Sequence, residues 1–157
     1  MTTTVQEKQQ KPSGTIKKAA ILTVAGGLAF WLTNFAISLT PIAAEYRAGV
    51  SISYFPMLLE ALVGGMIIGF FVSIFLVRFY GKIPTENPIL KSITLSLIAL
   101  ILATVLLEIP AHFLIPNSDP MRFFLMGLLF NVLRILALGI VIGYLYKRLY
   151  SSGVVKE

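Results

Sequence analysis

The chain has no cysteine, one histidine and one tryptophan in 157 residues, and only 13% of its residues are charged. Without cysteine there is no disulfide, no thiol chemistry and no Cys-ligated metal or iron–sulfur site. His112 is the single histidine, and one imidazole with scattered acids does not make a metal centre. No Ser–His–Asp set, phosphate-binding glycine loop or haem-ligand pair is present, so neither enzymatic activity nor a cofactor is expected. Soluble domains carry about 25% charged residues. With 57% hydrophobic residues and a mean hydropathy of +0.86, this composition is that of an integral membrane protein.

The formal net charge of +6 would invite nucleic acid in a soluble protein. Here the loops are too short for a basic-aromatic binding module, and membrane proteins collect Lys and Arg on their cytoplasmic side. Nucleic acid is therefore not expected as a partner; the lipid bilayer is.

Four long apolar runs stand out, at residues 15–40, 56–80, 88–109 and 120–148. At about 1.5 Å per residue each is long enough to cross a hydrocarbon core of about 30 Å. The apolar part of the first run, residues 19–39, exceeds the roughly 7–15 residues of a signal-peptide core and reads as an uncleaved span. Pro41 and Pro110 read as stops for the first and third runs. Asn87-Pro88 and Asp119-Pro120 each combine an N-cap residue with a proline suited to the first helical position. Residues 41–55 read as an exposed loop with an interfacial segment, residues 1–14 as a disordered tail and 149–157 as a short polar tail. The expected fold is all-α: a polytopic integral membrane protein with four transmembrane helices in an up-down bundle.

Ten of the thirteen Lys and Arg residues fall on the side of the two termini, Arg47 and Arg122 on the other, and Arg134 within the fourth span. That bias predicts a multi-pass protein of the cell membrane with both termini cytoplasmic. A cation near the middle of a span costs on the order of 3 kcal/mol on insertion scales and calls for a partner. Counting ~1.5 Å per residue from the basic end of each helix puts Asn34, Asn131, Glu60 and Glu108 all about 24–27 Å up. Arg134 starts at about 20 Å, but its long side chain leans toward its helix N-terminus and reaches the same layer. Neutralisation of Arg134 by Glu60 or Glu108 would satisfy a purely structural account. Two acids against one base also leave a carboxylate able to exchange a proton or cation.

Two GxxxG motifs, Gly65–Gly69 and Gly139–Gly143, mark close helix packing. They lie 74 residues apart, and the same offset carries Glu60 onto Arg134, which hints at two parallel hairpins. The leading functional reading is a non-enzymatic transporter or channel-like component whose polar layer is Glu60, Glu108, Arg134, Asn34 and Asn131. Four helices enclose little space, so a homo-oligomer or another membrane protein is the expected partner. The alternative is a structural or accessory subunit of a larger membrane complex, packing through the glycine faces.

Overall fold

The computed structural model describes residues 12–114 and 119–151, and among these the chain is helical, with no strand. Most of the two predicted tails lies outside the described residues. α1 (Pro12–Ser38) begins three residues inside the stretch read as the first tail. It is followed by the short α2 (Pro41–Gly49), by α3 (Tyr54–Phe79) with a closing 3-10 turn, and by α4 (Pro88–Ala103). A π-type segment, Thr104–Glu108, joins α4 to α5 (Ile109–Phe113), and α6 (Pro120–Tyr146) completes the bundle. Four helical stretches are long and apolar enough to cross a membrane: Gly14–Ser38, Tyr54–Lys82, Pro88–Phe113 and Pro120–Tyr150.

The helix starts follow local chemistry. The Ile89 amide donates to Asn87 Oδ1 at 3.0 Å and the Arg122 amide to Asp119 Oδ1 at 3.2 Å, each just ahead of a proline. Thr40-Pro41 does the same work, its hydroxyl accepting from the Ala43 amide at 3.3 Å. Pro41 thus both ends α1 and opens α2, so the predicted loop is in part a helix. Ser51, with φ of 53°, makes the left-handed turn that sends the chain into α3.

Pro110 does not stop the third long helix. The Ile109 amide reaches back five residues to the Thr104 carbonyl, so the helix is already widened when the pyrrolidine ring arrives. The ring fits without the clash it would cause in a regular α-helix. The helix then runs on to Phe113 and carries His112 with it.

Glycines set which helices touch. A Cβ on Gly69 would lie 3.2 Å from the Thr23 carbonyl oxygen and 3.4 Å from the Gly27 nitrogen, so α1 and α3 are in backbone contact. A Cβ on Gly139 would lie 2.7 Å from Ser96 Oγ, and one on Gly143 would lie 2.9 Å from the Pro88 oxygen, which closes α4 on α6. Gly26 of α1 admits Ile142 and Leu138 of α6. Neighbouring helices run antiparallel in all three seams. Leu22, Leu76, Ile135, Leu138 and Ile142 fill the core between them. The fourth seam, α3 against α4, is sparse and leaves an apolar groove of about 520 Å³ lined by Ile68, Phe71, Phe75, Leu95, Ala99 and Leu102, among others.

At the end of the bundle opposite α2, Lys91 is buried rather than marking a wet boundary. Its ammonium donates to the Tyr80 carbonyl and lies 3.9 Å from the Tyr80 ring centroid. Tyr80 in turn stacks on Tyr146 at 4.7 Å.

Candidate functional site

The polar residues of the four long helices gather at the α2 end. Arg134 leaves α6 pointing back along its own helix, its Nε donating to the Phe130 carbonyl at 3.1 Å. A terminal nitrogen donates across the α1–α6 seam to Asn34 Oδ1 at 3.0 Å, and the guanidinium carbon lies 5.5 Å from the Phe30 ring centroid. The carbonyl, the amide and the ring hold the guanidinium in place. The expected neutralisation by Glu60 or Glu108 is not made: among the described residues, no carboxylate lies within 4 Å of Arg134. Arg134 and Asn131 sit three residues apart, roughly 60° around the helix, so Arg134 faces α1 while Asn131 faces the third long helix.

Asn34 is 4% exposed, and its one acceptor is spent on Arg134. Among the described residues, its Nδ2 has no partner. A buried N–H left in this state costs about 1–3 kcal/mol.

Glu108 sits at the end of the π-type segment. Its Oε1 accepts from Asn131 Nδ2 at 2.8 Å, and its Oε2 lies 3.6 Å from His112 Nδ1. The same His112 nitrogen is 3.0 Å from the Glu108 carbonyl, and Nε2 is 3.4 Å from the Tyr46 hydroxyl. The Glu108 carbonyl can only accept, so Nδ1–H donates to it, and in the neutral ring Nε2 is left to accept from the Tyr46 hydroxyl. Burial first, then the nearby Glu108 charge, pushes that hydroxyl up to about 12. Gly127 makes room for this cluster: a Cβ there would lie 3.0 Å from Tyr46 Oη and 3.2 Å from Glu108 Oε2.

Tyr46 is delivered by α2, which is strapped to the bundle at several points. Arg47 donates to the Ser38 carbonyl at 3.1 Å and lies over the Tyr54 ring at 5.2 Å. Glu45 forms a surface ion pair with Arg122, a contact worth about 0–1 kcal/mol.

These groups surround three adjoining spaces that share Tyr46. The mouth, about 540 Å³, lies between α2, α3 and α5 and is lined by Tyr46, Ile52, Glu60, Glu108 and His112, among others. An inner chamber of about 200 Å³ is bounded by Glu60, Gly64, Ile68, Glu108, Asn131 and Arg134, among others. A recess of about 40 Å³ lies beside Asn34, Ser38, Tyr46 and Arg134. That recess has room for roughly one water-sized group. Glu60 is exposed to the mouth and chamber, and among the described residues it has no hydrogen bond or ion pair.

No protein-family model, curated protein or solved structure matches the chain. Function must therefore be read from the cavity itself.

The five residues counted to one depth do come together, as two hydrogen-bonded pairs, Asn34 with Arg134 and Asn131 with Glu108, and with Glu60 on the facing wall. The four GxxxG glycines lie apart from the cavity's polar groups, in the α1–α3 and α4–α6 seams. The sequence draws no attention to Tyr46 or Gly127, and it marks His112 only as an insufficient metal ligand. His112 follows Glu108 by four residues, a shared face once the helix is known to pass Pro110. Gly127 precedes Asn131 by four on the same face. Tyr46 carries no comparable signal, because residues 41–55 read as a loop.

Proposed function

We propose that the chain is a small, non-enzymatic, multi-pass protein of the cell membrane, with both termini cytoplasmic, and that its polar cavity is the outward-facing half of a transport path. Membrane insertion is supported by the large apolar side chains exposed around the bundle, such as Leu32, Ile67 and Ile101. Orientation is supported by the Lys and Arg bias, which sets the α2 end outside.

One observation carries the transport reading: Glu60 and Glu108 line one open cavity with Arg134, yet neither is tied up in an ion pair with it. Two carboxylates and a guanidinium on the walls of one open cavity can bind a small charged solute and let it go again. Asn131 and His112 hold Glu108 in register, while Glu60 is free to move. Below the cavity, Leu76, Ile135, Leu138 and Ile142 form a dry plug, and Lys91 with Tyr80 and Tyr146 closes the cytoplasmic end. Completing the path requires the plug to part, and a homo-oligomer is the natural frame for that motion.

The accessory-subunit reading has less support, because the GxxxG faces it would offer a partner are filled by Phe30, Thr23, Ser96 and Ile89 of the same chain.

The test is proton entry into proteoliposomes under an imposed pH gradient, followed with an entrapped dye. Glu60→Gln and Glu108→Gln should each lower the rate about tenfold with the protein still folded and inserted, a change equivalent to ~1.4 kcal/mol. Wild-type rates in both variants would contradict the assignment.

A further inference from the structure

Ile68 lines both the polar chamber and the apolar groove between α3 and α4, so the two spaces adjoin on either side of that residue. From there the groove follows Phe71 and Phe75 down α3 and Ala99 and Leu95 down α4. From the level of Glu60 to that of Phe75 is fifteen residues, a slot about 22 Å long. Its upper end is charged and its lower part apolar. Phe71, Phe75, Ile98 and Leu102 on its flanks are all 45–56% exposed, so the groove opens sideways.

The charged end is itself incomplete. Among the described residues, Asn34 Nδ2 is an unpartnered donor on a side chain 4% exposed, and no carboxylate lies within ion-pair distance of the Arg134 guanidinium beside the same recess. A cationic donor and an unpaired N–H on residues flanking one small recess are the complement of an anionic oxygen. Glu108 is hydrogen-bonded to Asn131, one turn (about 4.5 Å) nearer the mouth than Arg134. Glu60 faces the same chamber. These two acids are the complement of a cation placed beyond that anion.

We infer that the slot binds a zwitterionic lipid of the bilayer: one phosphate oxygen toward the recess beside Arg134 and Asn34, its ammonium toward Glu60 and Glu108, and an acyl chain along the α3–α4 groove. This rests on the cavity being the transport site and names the substrate class for it. A small polar solute would leave the 520 Å³ groove without a role. A helix from a second copy would fill the groove, and only through its own Glu60 or Glu108 could it bring an anion to Arg134.

The experiment is native mass spectrometry of the whole chain in mild detergent, titrated with 1-oleoyl lysophosphatidylethanolamine, 1-oleoyl lysophosphatidylglycerol and chain-less O-phosphoethanolamine. The ethanolamine lysolipid should bind tightest. Arg134→Gln should weaken it about tenfold by loss of the charged contact, and Ala99→Trp about as much by filling the groove. Glu60→Gln should erase the preference for ethanolamine over glycerol. Ala99→Trp lies away from the charged groups, so it tests the idea even if Arg134→Gln misfolds. Undiminished lysolipid binding in Ala99→Trp overturns the inference. If O-phosphoethanolamine binds as tightly as the lysolipid and is lost in Arg134→Gln, the chain-binding part is overturned while the polar cavity stands as a solute site. If no probe binds and the glutamine variants keep full proton entry, both the inference and the transport reading fall.

Discussion

Two seams join the halves of this bundle, and they are built in opposite ways. Where α1 meets α6, Gly26 lets Ile142 and Leu138 in, and Asn34 reaches Arg134 across the contact. Where α3 meets α4, the facing residues are Phe71, Phe75, Ile98 and Leu102, with no glycine between them, and a groove remains. A faithful 74-residue repeat of two hairpins would make these seams equivalent. They are not, and the difference teaches what the small residues are for. Inside lipid there is no hydrophobic force pressing apolar helices together, so close approach depends on small side chains and packing. Where those are missing the helices stand apart, and the polar groups at the top of that gap become reachable.

The largest expected effect is in a closed seam. Gly143→Val places its branches against the Ile89 backbone and the Pro88 carbonyl, neither of which can retreat as a flexible side chain would. A loss of about 3 kcal/mol is expected, read as a fall in the apparent melting temperature in detergent. Next is Asn34→Leu, which removes the acceptor from Arg134 and should cost about 2 kcal/mol in the same assay. Ala99→Leu in the open seam enlarges a side chain toward empty space, and stability should change by no more than about 0.5 kcal/mol. If Ala99→Leu destabilised as much as Gly143→Val, the contrast between the seams would be wrong.

A further contrast concerns pH. The Tyr46 hydroxyl is raised to about 12 by burial and by Glu108, against 10 in the unfolded chain. Between those values the unfolded state binds fewer protons than the folded one, so stability falls as pH rises. The contribution is whole below pH 10 and lost as pH climbs through 12. A difference absorbance titration of wild type against Tyr46→Phe should show the removed phenol titrating late, near 12; a phenol titrating at 10 would contradict its burial against Glu108.

Much of the scaffold is legible in the sequence. Apolar run length and the pairs Asn87-Pro88 and Asp119-Pro120 carry local physics that tertiary context did not override. The polar layer was legible too, because rise per residue converts position into depth. What counting cannot supply is azimuth. Depth puts Arg134 level with Glu60 and Glu108, but its helix turns it toward α1, and Asn34 receives it instead. Pro110 misled for a related reason: a proline ends a regular helix, and nothing in the composition announces the π-type widening at Thr104–Glu108 that accommodates it. Lys91 is a further case: a cation near a helix end usually reaches water, whereas here Tyr80 offers it a carbonyl and a ring inside the bundle.

The most direct test of the central claim uses the absence of native cysteine. Gly64 lines the inner chamber, and a Cβ there meets nothing within 4 Å, so Gly64→Cys should fold and present a thiol to the cavity. Ser96 is buried in the closed α4–α6 seam and serves as the counterpart. In sealed, right-side-out vesicles a membrane-impermeant maleimide should label Gly64→Cys rapidly and leave Ser96→Cys unmodified. Protection of both thiols, or equal labelling of both, would contradict an outward-open polar cavity at the α3–α4 seam.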